Sequence, residues 1–288
     1  MIESHDDVTG DSVNKVPADQ PGSGSRLRTA TFAVDPGAHA APAKPDAAEV
    51  VTELLAREPV GETREYLRFH QRRYVLLVEQ VDAGITSCPS DHPRLLDVGP
   101  SFQTRLFREL LGVPVDTLGF EPGVQGPRAG EQHIQFNLND AHDRSRWPAG
   151  AERYDLVVLA EVLEHLYCAP QEVLTCLRSL MKDGSRLILQ TPNGVSLHHR
   201  LVMASGRNPF EMIRMSRTNP GHFREYTRSE LTAVLEGSGF RVESHVVSNY
   251  FGDRTSRRSV VYDLICGLLP ESFRDGITTI ATAVPDGS

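Results

Sequence analysis

Apolar residues along this chain recur in two alternating patterns. Short apolar runs fall at Arg94–Val98, Val115–Phe120, around His133–Leu138, Tyr154–Leu159 and Arg186–Gln190. Between them the spacing turns helical, through Thr104–Leu111 and again from Pro170, where Val173, Leu174, Leu177, Leu180 and Met181 form one stripe. Strand-length runs alternating with helical stretches predict a parallel sheet covered by helices. Tyr154–Leu159 is the most apolar run and is expected at the sheet centre, where both faces are buried. Pro170 suits a helical first turn, and Gly112 and Gly184 are the expected helix stops. Farther on, Thr227 and Glu230 make a capping box for a helix over Ser229–Glu236, closed by Gly237 and Gly239. A sixth strand is expected at Phe240–Val246, an amphipathic helix within Val260–Leu269, and a last edge strand at Gly276–Ala283.

The pattern predicts an α/β fold: a doubly wound, mostly parallel, seven-stranded Rossmann-like sheet with helices on both faces. Residues 1–46 are rich in Gly, Pro, Ala, Ser and Asp without apolar periodicity, and are expected to be a disordered tail. Residues 47–92 read as a helical cover, with Tyr66, Phe69, Tyr74, Leu77, Val78 and Val81 at helical spacing in a helix over 62–82. Residues 93–193 form the Rossmann-like core that carries the candidate cofactor-binding positions. Residues 194–226 read as an inserted substrate cover, and 227–288 complete the core.

Composition narrows the picture modestly. The 288 residues are 39% hydrophobic and 24% charged, ordinary values for a soluble domain. A net charge of −8 gives no global basic field, which disfavours nucleic acid as a partner. The four cysteines form no metal-ligand spacing and read as reduced thiols, so a cytoplasmic location is expected. No apolar run reaches the roughly 18–20 residues of a membrane span, and the N-terminus lacks a signal-peptide core.

The chemistry begins where the first strand runs into Leu95-Leu96-Asp97-Val98-Gly99-Pro100-Ser101. A buried strand, an acidic residue and a glycine turn bring backbone close to a ligand at the carboxyl end of a sheet. Gly119-Phe120-Glu121-Pro122 then places an acid at the end of the second strand, about 20 residues on, where it can accept hydrogen bonds from ribose hydroxyls. These two elements do not separate a nicotinamide cofactor from S-adenosylmethionine.

A third element follows the fourth strand: Ala160-Glu161-Val162-Leu163-Glu164-His165-Leu166, with Leu180–Ser185 and the Thr191-Pro192-Asn193 turn after it. In this order the motifs resemble class I S-adenosylmethionine-dependent methyltransferases, especially those with an E-V-L-E-H box, and are similar to ubiquinone-pathway O-methyltransferases. The likeness runs from Arg72 to Val246 and includes Pro220–Thr227. It implies that Asp97, Gly99 and Ser101 hold the methionine part of the cofactor, Glu121 the ribose, and Asn137 or Asp140 the adenine. Ala160 and Glu161 would pass beneath the sulfonium. The usual G-x-G-x-G loop is reduced here to Gly99, with Ser101 and Gln103 at the other glycine positions.

His165 and His222 are the candidate general bases. Glu161, Glu164 and His165 stand at i, i+3 and i+4, which share one face of a helix. With His222 from a loop they would form a cluster able to bind a divalent metal such as magnesium. That set is similar to the metal site of small-RNA 3′-end 2′-O-methyltransferases. His198, His199, Arg200, Arg207, Arg214, Arg217 and Arg224 make the insertion locally basic. The function expected is O-methylation of a small molecule or glycan. The alternatives are a metal-dependent RNA 3′-terminal 2′-O-methyltransferase, an NAD-binding oxidoreductase on the same fold, and a relative that only binds cofactor.

Overall fold

The computed structural model describes residues 46–57, 64–148, 153–216, 220–252 and 256–285. The expected disordered tail lies outside them apart from Asp46. In chain order the elements are α1 (Ala47–Ala56), α2 (Arg64–Phe69), α3 (Gln71–Thr86), β1 (Leu95–Val98), α4 (Phe102–Leu110), β2 (Val115–Gly119), β3 (His133–Gln135) and β4 (Tyr154–Ala160). There follow α5 (Pro170–Ser179), β5 (Met181–Pro192), α6 (Leu197–Ala204), α7 (Arg228–Glu236), β6 (Phe240–Ser248), α8 (Arg257–Gly267) and β7 (Gly276–Ala283). Asp46 opens the first helix by accepting the Ala48 N–H at 2.9 Å.

The seven strands form one sheet in the order β3-β2-β1-β4-β5-β7-β6. Pairings from β3 through β5 are parallel, and β7 runs antiparallel to both β5 and β6. Alternate strand residues feed two separate cores. Val98, Val157, Leu159, Leu187 and Leu189 pack with α5 and α7 on one face. Leu95, Val158, Ala160 and Ile188 pack with α1, α3 and α4 on the other. The doubly wound architecture expected from the apolar runs is thus present.

Three local expectations are corrected. β7 is an interior strand between β5 and β6, not the edge: Ile277, Ala281 and Ala283 are buried, and Thr278 and Thr279 are buried with them. Their hydroxyls are engaged by Gln190 Nε2 at 2.9 Å and His245 Nδ1 at 2.9 Å, which lets a threonine-rich strand sit inside the sheet. The helix expected over 62–82 is instead two, broken at His70, whose φ/ψ of −96°/4° leaves the helical region. Gly184 does not end α5, which stops at Ser179; its φ of +77° lies within β5, where pairing with β4 skips from Tyr154↔Met181 to Leu156↔Arg186. The capping box at Thr227 is as expected: the Glu230 N–H reaches Thr227 Oγ1, and Thr227 N–H donates to Glu230 Oε2 at 2.8 Å.

The chain reverses sheet direction between β1 and β4. In open α/β sheets that switch point, beyond the carboxyl ends of the strands, is where ligands bind.

Candidate active site

A cavity of about 1770 Å³ opens at that place. It is lined by the turns after β1 (Gly99, Pro100), β2 (Phe120, Glu121), β3 (Asn137) and β4 (Glu161). Single small-ligand pockets span about 300–1,000 Å³, so this one has room for more than one small molecule.

The turn after β1 is shaped by Gly99. Its φ is +76°, its N–H donates to Leu118 O at 2.8 Å, and a Cβ there would stand 2.6 Å from Val162 Cγ2. Both conditions require glycine. The turn after β4 is strained. Glu161 is the one non-glycine residue with positive φ among the described residues, at 56°. Such strain persists where the surroundings impose it, and it concentrates at functional sites. Its Oε1 is buried without a hydrogen-bond partner, on the cavity floor.

The predicted cofactor residues separate into two groups. Gly99, Glu121, Asn137 and Glu161 line the cavity. Asp97, Ser101, Asp140 and Ala160 do not. Asp97 is fully buried behind the β1 turn, where Gln103 Nε2 donates to it at 2.8 Å and Thr104 Oγ1 at 2.6 Å. Arg73 of α3 in turn donates to Gln103 Oε1 at 3.4 Å. The position where a glycine was expected therefore carries a helical glutamine that ties Asp97 to the N-terminal cover. Ser101 sits at the start of α4, its N–H donating to Thr104 Oγ1, and faces a separate groove with Pro122. Asp140 turns away to Arg146 at 2.9 Å. Asn139 lines the cavity, and its Oδ1 accepts the Tyr167 and Cys168 N–H groups at 2.8 and 3.2 Å, fixing the loop after the E-V-L-E-H box.

The candidate bases meet. Leu163–His165 is a single 3₁₀ turn, so Glu161, Glu164 and His165 do not share an α-helical face as their spacing implied. Phe223 N–H donates to Glu164 O at 2.7 Å and joins the 220–226 loop to this turn. His165 and His222 then pack edge to face, ring centres 4.8 Å apart. His165 Nδ1 lies 2.9 Å from Gly221 O and His222 Nδ1 2.8 Å from Glu225 Oε1. Both partners only accept, so in the neutral rings each Nδ1 carries the proton and each Nε2 keeps its lone pair. Glu164, His165 and His222 place ligand atoms within 4.8 Å of one another; Glu161 stands outside this group.

A methyltransferase-domain family model matches residues 44–245. The chain belongs to this methyltransferase family. A relative from Mycolicibacterium smegmatis, described as a probable S-adenosylmethionine-dependent methyltransferase, is 33% identical over 116 residues, which are 36% of this chain and 40% of the relative. Among solved structures, a SAM-dependent methyltransferase from Archaeoglobus fulgidus aligns with a TM-score of 0.47 and 18% identity, over 76% of this chain and 99% of its own. The 1,6-didemethyltoxoflavin-N1-methyltransferase of Burkholderia thailandensis gives 0.46 and 14%, over 79% of this chain and 92% of its own.

The electrostatics of this candidate site follow from burial. Desolvation lifts Glu164 well above the ordinary carboxylate range, and the nearby Glu161 charge adds to it. Glu161 is raised by burial as well, against the attraction of Arg73. Burial lowers His165. Burial also opposes charge on His222, but the hydrogen bond and charge of Glu225, with Glu161 and Glu211, outweigh it and raise the imidazole. Two adjacent imidazoles with opposite shifts suit proton handling.

Several contributors carried no sequence signal. His70 lines the cavity from the α2–α3 break and is pushed down to about 3 by burial and the Arg73 charge. Glu225 orients His222, yet one Glu in a charged loop has no distinguishing pattern. Arg217 and the rest of 217–219 lie outside the described residues.

Asp97 carries a pH signature. Burial lifts its carboxyl to about 7, against the Thr104 and Gln103 hydrogen bonds and the charges of Arg108 and Arg73. The unfolded chain loses that proton near pH 4, about three units lower. Between those values the folded state binds more protons than the unfolded state, so stability falls as pH rises. His70, held down at about 3, contributes a slope of the opposite sign over much of this range. The Asp97 part is therefore read by difference: thermal denaturation is expected to show a less negative slope for Asp97→Asn than for wild type. Asp275, also lifted to about 7 by burial, leaves a residual slope in the variant. An unchanged slope in Asp97→Asn would show that other groups set it.

Proposed function

We propose that this protein transfers the methyl group of S-adenosylmethionine to a hydroxyl oxygen of a small-molecule or glycan acceptor. The observation that carries this reading is the His165–His222 pair, whose Nδ1 atoms are each held by an oxygen so that Nε2 is the atom left to take a proton, beside the strained Glu161 turn at the switch point. The cofactor residues fit the role. Gly99 allows close backbone approach, Glu121 after β2 would accept from the ribose hydroxyls, and Asn137 would hold the adenine. Glu161, with an unpartnered buried oxygen, would serve the methionine part.

S-adenosylmethionine supplies an electrophilic methyl on a sulfonium. The protein's share is alignment and proton removal. The acceptor O–H proton passes to a histidine Nε2 as the oxygen–methyl bond forms and the sulfur–methyl bond breaks. Glu225 stabilises the imidazolium formed on His222. Calorimetry tests the cofactor half directly: S-adenosylhomocysteine should bind and NAD should not, with Glu121→Ala weakening binding about tenfold, the worth of a charge-assisted hydrogen bond. NAD binding with no S-adenosylhomocysteine binding would replace the reading with an oxidoreductase.

A second reading, that the site holds a divalent metal, is favoured by one observation. Glu164 Oε1 is fully buried, unpartnered and 3.9 Å from His165 Nε2. Each histidine has its Nδ1–H fixed by an oxygen acceptor, the arrangement that orients imidazole ligands. Glu164, His165 and His222 would hold the ion, and two nitrogens with one oxygen suit manganese or zinc better than magnesium. Such an ion would lower the pKa of a bound acceptor hydroxyl. Titration with manganese should give binding that Glu164→Gln abolishes, and equal heats in both proteins would exclude the site.

A further inference from the structure

We propose that α8 and the neighbouring 197–216 segment dock this protein on an anionic lipid surface beside the cavity mouth. The observation is an inverted helix. Surface helices normally turn apolar residues inward and polar ones to solvent. On α8 and its C-cap, Val260, Val261, Leu264, Ile265 and Leu268 are each 45–83% exposed. At 100° per residue they cover an arc of about 140° on one side.

The opposite side is polar and pinned. Asp263 pairs with Arg72 Nη1 at 2.5 Å and accepts Asn249 Nδ2 at 3.0 Å. Ser259, Tyr262 and Asp263 line the cavity. The helix cannot roll its apolar side inward without breaking the Arg72–Asp263 pair in a partly buried place.

A second group of exposed apolar residues belongs to the 197–216 segment. Leu201, Met203, Met212 and Ile213 are exposed on and after α6. Phe273 holds α6 beside α8: the Arg200 guanidinium stacks 4.3 Å from its ring centre, and its carbonyl faces Cys266 Sγ on the buried side of α8 at 3.8 Å. Five exposed apolar residues along one side of a single helix mark an interaction site, where scattered single residues would not.

Charge selects the occupant. Residues 194–216 and 256–274 carry six arginines and only three acidic residues, in a chain whose net charge is −8. Apolar side chains interleaved with arginine suit an interface bearing anionic headgroups. A second copy of this chain would bring the same positive surface against itself, which like-charge repulsion opposes. Ile213 is both exposed and part of the cavity lining, which sets one edge of the docking surface at the cavity mouth.

The test is sedimentation of the full chain with vesicles, read independently of methyl transfer. Vesicles of equal parts phosphatidylglycerol and phosphatidylcholine should capture it, pure phosphatidylcholine far less, and added salt should release it. Leu264→Glu/Leu268→Glu should lower capture at least about tenfold, since two buried leucines are lost from the interface. Leu201→Glu/Met212→Glu should do the same from the other patch, and thermal denaturation matching wild type would show that each variant is folded. Failure of the wild type to bind either vesicle would overturn the proposal, as would capture that both double variants leave unchanged. Lipid-independent self-association abolished by Leu264→Glu/Leu268→Glu would assign the face to a second copy instead.

Discussion

Replacing His222 with asparagine is expected to lower the methyl-transfer rate about 10²–10⁴-fold, the usual contribution of a positioned acid or base, with S-adenosylhomocysteine affinity changed less than about threefold. Geometry sets this expectation. His222 reaches the cavity because Phe223 N–H bonds Glu164 O, and Glu225 holds its Nδ1, so Nε2 is the atom left to take a proton in the proposed reaction. Asparagine keeps a polar side chain of smaller reach and cannot take a proton. Steady-state rates and calorimetry on the same variant check both halves. A loss of cofactor affinity as large as the loss of rate would make His222 a cofactor contact. Combining it with His165→Asn adds a further check. Rings 4.8 Å apart that act as one unit give a double-variant loss well short of the product of the single losses.

Gly276→Ala is expected to be the most destabilising single-methyl change, by about 3 kcal/mol or more, at the upper end for overpacking a buried site. A Cβ at residue 276 would fall 2.0 Å from Tyr250 Cζ and 2.1 Å from Cε2, inside the ring. The ring has no room to retreat. Tyr250 is buried, its hydroxyl donates to Thr191 O at 3.3 Å, and its N–H donates to Asp275 Oδ1 at 3.0 Å. Gly276 itself pairs with both Pro192 and Ser248, so the strand cannot shift without disturbing β5 and β6. Denaturant unfolding measures the loss. In a Tyr250→Leu background the same alanine should cost clearly less, because the two changes share one space. Equal losses in both backgrounds would show that the ring is not what excludes the methyl group.

Elements with a repeating pattern are legible in the amino-acid sequence. The runs Tyr154–Leu159 and Arg186–Gln190 read as buried strands from their place in the alternation, and the Thr227 capping box marks its helix within a residue. The position of β7 is not legible. Ile277-Thr278-Thr279-Ile280 has the mixed polarity of an edge, and its interior place depends on Gln190 and His245 supplying partners from strands far away in sequence.

The candidate site divides the same way. Motif order points to Gly99, Glu121, Asn137 and the Glu161–His165 box, and these line or adjoin one cavity. Spacing alone misjudges the box, because i, i+3 and i+4 share a face only in an α-helix, and here the chain takes a left-handed turn at Glu161 and then a 3₁₀ turn. That geometry removes Glu161 from the cluster of Glu164, His165 and His222.

The alternation of strands and helices, the glycine required after β1 and the acid after β2 are thus local properties of the chain. Periodicity and backbone sterics within a few residues set them, so the amino-acid order is enough to read them. Other features exist only in the folded chain: Gln103 ties Asp97 to Arg73, the Phe223 N–H bond to Glu164 O brings His222 to His165, and α8 turns its apolar side to solvent. Each depends on groups brought together across the sheet or from separate loops. Hydrogen bonding and burial act on distance in space, for which separation along the chain is no guide.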